Sequence, residues 1–118
     1  RINAALDIST AIHPSHDYTL EHIAPKSQCE TWKAVGWGAQ QVAQCSNLIG
    51  NFALVPKVVN GRCNQKLLKD KWQIIEAHDA PILPITEDLR NGSVWTERMV
   101  RDRTERFVKL LLSDWELA

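Results

Sequence analysis

The chain has 118 residues, 44% of them hydrophobic, and its 14 basic residues balance 14 acidic ones to a formal net charge of zero. That length builds one core and is too short for two ordinary domains, and no apolar run approaches the roughly 20 residues of a membrane span. Charge balance excludes a module that holds nucleic acid by its overall field, so phosphate attraction has to come from local clustering.

Three cysteines, Cys29, Cys45 and Cys63, form no Cys-x-x-Cys pair and are odd in number, which argues against a disulfide framework or a zinc ribbon. Without a signal sequence, a reducing cytoplasm is the default compartment and no membrane partner is expected. The sequence opens on Arg1, so it reads as a single domain over 1–118 taken from a larger protein.

In chain order, His13-Pro14-Ser15-His16 is a turn; its histidine pair has a metal-like spacing, but Pro14 argues against a regular helix there. Thr19 to Ile23 reads as a strand ending at His22, with Leu20 and His22 on one face and Glu21 on the other. Pro25 blocks further pairing, and a backbone twist at the strand end would bring Glu21 and His22 into one cleft. Ser27 to Gln44 reads as a loop followed by a short helix from about Ala39, with Trp32 and Trp37 as core or lid. Leu48 to Val55 is apolar enough for a buried strand closed by Pro56.

From about Arg62 to His78, Leu68, Trp72 and Ile75 recur at spacings of four and three, the stripe of an amphipathic helix. Asp79 to Pro84, with two prolines, is a connection. Asn91-Gly92-Ser93 matches a glycosylation sequon, but in a reducing compartment it reads as a turn. The last helix, roughly Thr96 to Trp115, puts Val100, Phe107 and Leu111 on one face. Its Arg98, Arg101 and Arg106 alternate with Glu97, Asp102 and Glu105 as surface ion pairs of little energetic weight.

Chemistry concentrates between Glu21 and Asn60. Histidine suits a general base because its ordinary pKa of about 6.5 leaves much of it neutral at physiological pH. A carboxylate and an amide oxygen suit a hard cation such as magnesium, which takes oxygen ligands and retains several waters. Asn51 and Asn60 follow nine positions apart. Taken singly, asparagines serve turns and caps, and a histidine after a strand is commonly just solvated. The cluster Lys57, Arg62, Lys66, Lys69 and Lys71 fits either a phosphate-facing patch or a solvated helix face.

Glu21-His22-Ile23-Ala24-Pro25, Trp32, Ile49-Gly50-Asn51-Phe52, Asn60 and Lys71 together resemble the HNH, or ββα-metal, nuclease signature. Within it they are most similar to the C-terminal HNH-type domain of GmrSD-like modification-dependent restriction and anti-phage proteins. Trp95, Arg103 and Trp115 extend the resemblance along the last helix. It implies an α+β, mainly helical fold: a ββα-metal hairpin-plus-helix core over about 17–78 and a C-terminal helical part over about 85–118. It also implies that His22 activates water, Asn51 on the second strand orients it, and Glu21 and Asn60, which opens the following helix, hold Mg2+ or Mn2+. Asn64, Lys66, Lys71 and Arg103 are the candidates to contact substrate, although Arg103 could instead brace the core.

Two departures stand out. Positions where many HNH proteins carry a zinc-binding Cys-x-x-Cys are Pro56 and Val59, so no structural zinc is expected. The acidic ligand is Glu21 where Asp is commoner, and its extra methylene suits binding through water. The resemblance implies a DNA endonuclease that nicks or, as a homodimer, cuts both strands, joined to an N-terminal nucleotide-hydrolysing recognition domain. The alternatives are a non-catalytic nucleic-acid-binding or regulatory module on the same fold, or an RNA-directed nuclease.

Overall fold

The computed structural model describes residues 17–117 apart from 79, 91 and 93, with the backbone alone for 114–117. Strand β1 (Tyr18–His22) pairs antiparallel with β2 (Phe52–Pro56), His22 facing Phe52 and Tyr18 facing Pro56. Between them lie α1 (Glu30–Lys33), α2 (Ala39–Cys45) and a 3-10 turn (Ile49–Asn51). After β2 come α3 (Lys57–Cys63), α4 (Leu68–Ala77), α5 (Pro84–Glu87) and α6 (Glu97–Leu117). The fold is the expected α+β, mainly helical one.

Local chemistry explains most boundaries. Pro56 is the last residue of β2 and the cap residue of α3, since it cannot donate to a ladder and its ring suits a helix start. Leu68, Trp72 and Ile75 of α4 are all buried, as their spacing predicts. Trp32 and Trp37 are core residues at 2% and 1% exposure. Each tryptophan also ties a loop, through Nε1 to Gln65 O at 3.0 Å and to Trp95 O at 2.8 Å.

Four expectations are corrected. The apolar run from Leu48 becomes strand only at Phe52, because its first half is the 3-10 turn pressed against α6. The helix expected from Arg62 to His78 is two helices. Asn64, at φ +44°, ends α3 in a conformation that asparagine tolerates better than most residues. Asn60 accordingly sits in the middle of α3 instead of opening a helix. On α6, Val100 and Phe107 are buried but Leu111 is exposed, since the helix runs past the core. The turns expected at His13 to His16 and at Asn91 to Ser93, and the side chain of Trp115, lie outside the described residues.

Polar clamps do what so small a sheet cannot. Thr86 Oγ1 accepts from Leu54 N at 3.1 Å and donates to Leu54 O at 2.7 Å, so α5 satisfies the outer edge of β2. Arg103, 4% exposed, donates to Gly50 O and Phe52 O at 2.8 Å each and to Ile85 O, and pairs with Asp88 at 3.1 Å. Gly50 lies against α6 so closely that a Cβ would stand 2.1 Å from Val100 O and 2.4 Å from Thr104 Oγ1.

Gly50→Ala therefore has to separate the 3-10 turn from α6. Overpacking of this kind costs about 1–3 kcal/mol, and urea unfolding should show the midpoint falling accordingly; an unchanged midpoint would refute the close approach.

Candidate active site

Glu21 and His22 are both still in the ladder, opposite Ala53 and Phe52, so alternation keeps their side chains on opposite faces. The twist expected to bring them into one cleft does not occur, because pairing continues through His22. Glu21 turns to the side covered by α3 and α4, where it is 6% exposed with Oε2 2.8 Å from Lys71 Nζ. His22 is half-buried on the other side, its ring edge-on to Phe52 and its Nε2 2.9 Å from Asn47 Oδ1.

Lys71 reaches from α4 to the end of β1 and is 1% exposed. Its ammonium donates to His22 O and Ile23 O, both at 2.8 Å, and the Glu21 contact occupies its third side. No donor meets the buried Oε2 of Glu21 at hydrogen-bond angles, so that contact is chiefly electrostatic. Burial pushes the Glu21 carboxyl up from its ordinary range while the charge of Lys71 pulls it back. The neighbouring Cys63 thiol is pushed up to about 11, by burial first and by the Glu21 carboxylate second.

Asn51 is fully buried and belongs to the 3-10 turn, one residue before the strand expected to carry it. Its Oδ1 accepts from Ala24 N and Trp95 Nε1, both at 2.9 Å. Its Nδ2 donates to Ala24 O at 2.8 Å and Ser46 O at 2.9 Å. Those four bonds exhaust the amide, and none reaches His22. The asparagine on the His22 ring is Asn47, exposed in the turn after α2, which no sequence motif pointed to.

Asn60 docks α3 onto β1, its Nδ2 donating to Thr19 Oγ1 at 2.9 Å and Leu20 O at 3.0 Å. Thr19 shares the face of Glu21, so Asn60 and Glu21 approach β1 from the same side. Asn64 and Lys66 are exposed, and Lys66 with Arg62 and Asp70 lines an open groove of about 460 Å³ beside α4. Lys71, expected toward substrate, and Arg103, expected either there or bracing the core, are both turned inward, because each ammonium or guanidinium is consumed by carbonyls and a carboxylate.

Among the described residues no three His, Cys, Asp or Glu side chains converge as a metal site. The Glu21 and Asn60 pair is a different donor set. The Glu21 oxygen without an aligned donor, Oε2, is buried against the Lys71 ammonium, while the Oδ1 of Asn60 is left over when its Nδ2 is tied to β1. Both are the hard oxygen donors that a magnesium-like ion takes, but the burial of Glu21 and the Lys71 charge oppose an ion there.

The sequence model of one family, described as GmrSD restriction endonucleases, C-terminal domain, matches residues 2–110. The chain belongs to that family. As a GmrSD C-terminal domain it is a nuclease module of restriction-endonuclease type. No curated protein and no solved structure matches it. No helix of the described residues is long and apolar enough to cross a membrane.

In this GmrSD C-terminal domain Asn51→Ala leaves two donors and two carbonyls unpaired in the core. With about 1–3 kcal/mol per stranded group, a loss of about 3 kcal/mol or more is expected in urea unfolding, and a loss under 1 kcal/mol would refute the role. Thiol labelling of the native domain should modify half-buried Cys29 first, while Cys45 and Cys63 react only after unfolding. Rapid native modification of Cys63 would contradict its burial.

Proposed function

We propose that this domain hydrolyses DNA phosphodiester bonds, with His22 as the general base and a divalent cation, magnesium or manganese, held by Glu21 and Asn60. The observation that carries the reading is a half-exposed imidazole fixed at the end of β1 in a chain of a restriction-endonuclease family. An amide oxygen only accepts hydrogen bonds, so in the proposed base form the contact of Nε2 with Asn47 Oδ1 at 2.9 Å would use the ring's proton and leave the lone pair on Nδ1. That nitrogen takes the proton of a water molecule as its oxygen attacks phosphorus and the 3′ oxygen departs.

A cation on Glu21 and Asn60 would supply charge stabilisation to the phosphoryl and departing oxygens, which requires the end of β1 to twist until Glu21 and His22 share one cleft. Phe52 packs edge-on against the ring, with centroids 4.6 Å apart, and supports it beside the Asn47 contact. Exposed Lys66 and Asn64, with Lys57, Arg62 and Lys69, are the groups available to the DNA backbone. Lys71 and Arg103 drop out of that set by burial. In the full-length protein a further domain supplies recognition, and pairing of two copies supports cleavage of both strands.

Plasmid nicking tests the proposal directly. Wild type should cut only with magnesium or manganese present, and His22→Ala should lower the rate about 10²- to 10⁴-fold with its unfolding temperature nearly unchanged. A folded His22→Ala variant that cuts at the wild-type rate removes the base. Cleavage that survives complete chelation removes the cation.

A further inference from the structure

Lys71 is the one charged group at the centre of the site to which hydrolysis itself gives no part. Its ammonium lies 2.8 Å from each of three oxygens: Glu21 Oε2, His22 O and Ile23 O. Two N–H groups are taken by carbonyls and the charge faces the Glu21 carboxylate at 1% exposure, with the Trp32 ring 5.9 Å away, so the ammonium is closed off from a phosphate.

The two carbonyls belong to consecutive residues. Successive carbonyls of a regular strand point in opposite directions, so one ammonium can take both only where the chain turns. Lys71 therefore holds the bend at which β1 ends. Ile23 N is fixed from the other side by Asn51 O at 2.8 Å. A buried ammonium is costly to strand without acceptors, so all three oxygens are held against displacement.

We infer that Lys71 is a positioning residue that sets the backbone beneath His22 and the carboxylate of Glu21 from a single ammonium, without touching DNA. The inference rests on the proposed roles of His22 and Glu21. Arginine is a poor replacement, because its planar fork cannot converge on three oxygens around one nitrogen.

The test compares Lys71→Arg and Lys71→Met in the full chain with wild type, by plasmid nicking in magnesium and by histidine ring NMR signals. Lys71→Arg keeps the charge and should fold. Expected is a fall in kcat of about 10²-fold, the scale of an ångström misplacement, with KM for DNA unchanged and the His22 ring signals displaced. The salt dependence of DNA binding should also be unchanged, whereas loss of a phosphate contact would lower its slope by about 0.9.

A shallower slope with a raised KM and an unaltered kcat would make Lys71 a substrate ligand and overturn the inference. So would wild-type kcat in a folded variant, or failure of both variants to fold by circular dichroism, which would confine Lys71 to the core. The two readings fail separately. An active His22→Ala variant removes the base, whereas an unimpaired Lys71→Arg variant beside an inactive His22→Ala removes only the positioning role.

Discussion

One buried amide joins the segments that no ladder reaches. Asn51 binds Ala24 through both its N–H and its carbonyl, and adds Ser46 and the indole of Trp95. A two-stranded ribbon alone is marginal in water, and the connection between these strands is long enough to hold two helices. The strands therefore need fixing from outside the sheet. Asn51 supplies that at the exit of β1, and Gly50, pressed on α6 with its N–H on Thr104 Oγ1, carries it into the helical part.

The same logic governs the two buried cations. Irregular backbone at strand ends has carbonyls without ladder partners, and such groups have to be satisfied when buried. Lys71 satisfies those after β1, and Arg103 those of Gly50 and Phe52 at the start of β2. Each is balanced by a carboxylate, Glu21 or Asp88. Removing one member of a buried pair such as Lys71 and Glu21 generally costs about 3–5 kcal/mol, whereas Asp88 is partly exposed and Arg103 is held chiefly by carbonyls.

For a nuclease this inward use of charge has a consequence. A chain with zero net charge has no spare basic field, and two of its cations are withdrawn from the surface. The exposed basic residues of α3, α4 and the turn between them, Lys57, Arg62, Lys66 and Lys69, lie on the elements that cover the Glu21 face of β1. Such a surface suits a catalytic module brought to its substrate by something else, in keeping with a family defined as the C-terminal domain of larger enzymes.

The end of β1 near His22, the closure of β2 at Pro56, the Leu68, Trp72 and Ile75 stripe and the family were legible in the sequence. Each depends on neighbours within a few positions, where alternation, helical spacing and proline geometry act directly. The break at Asn64, the 3-10 turn replacing half a strand and the destination of Lys71 were not legible, and for Arg103 the choice between core and substrate stayed open. Nor was the placement of Asn47, rather than Asn51, on the His22 ring. A polar side chain goes where acceptors and donors are left unpaired, and at this site those groups come from segments 25 to 53 residues away. Sequence thus determined which residue types the site contains, while only the packing of distant segments decided which face substrate and which hold the backbone.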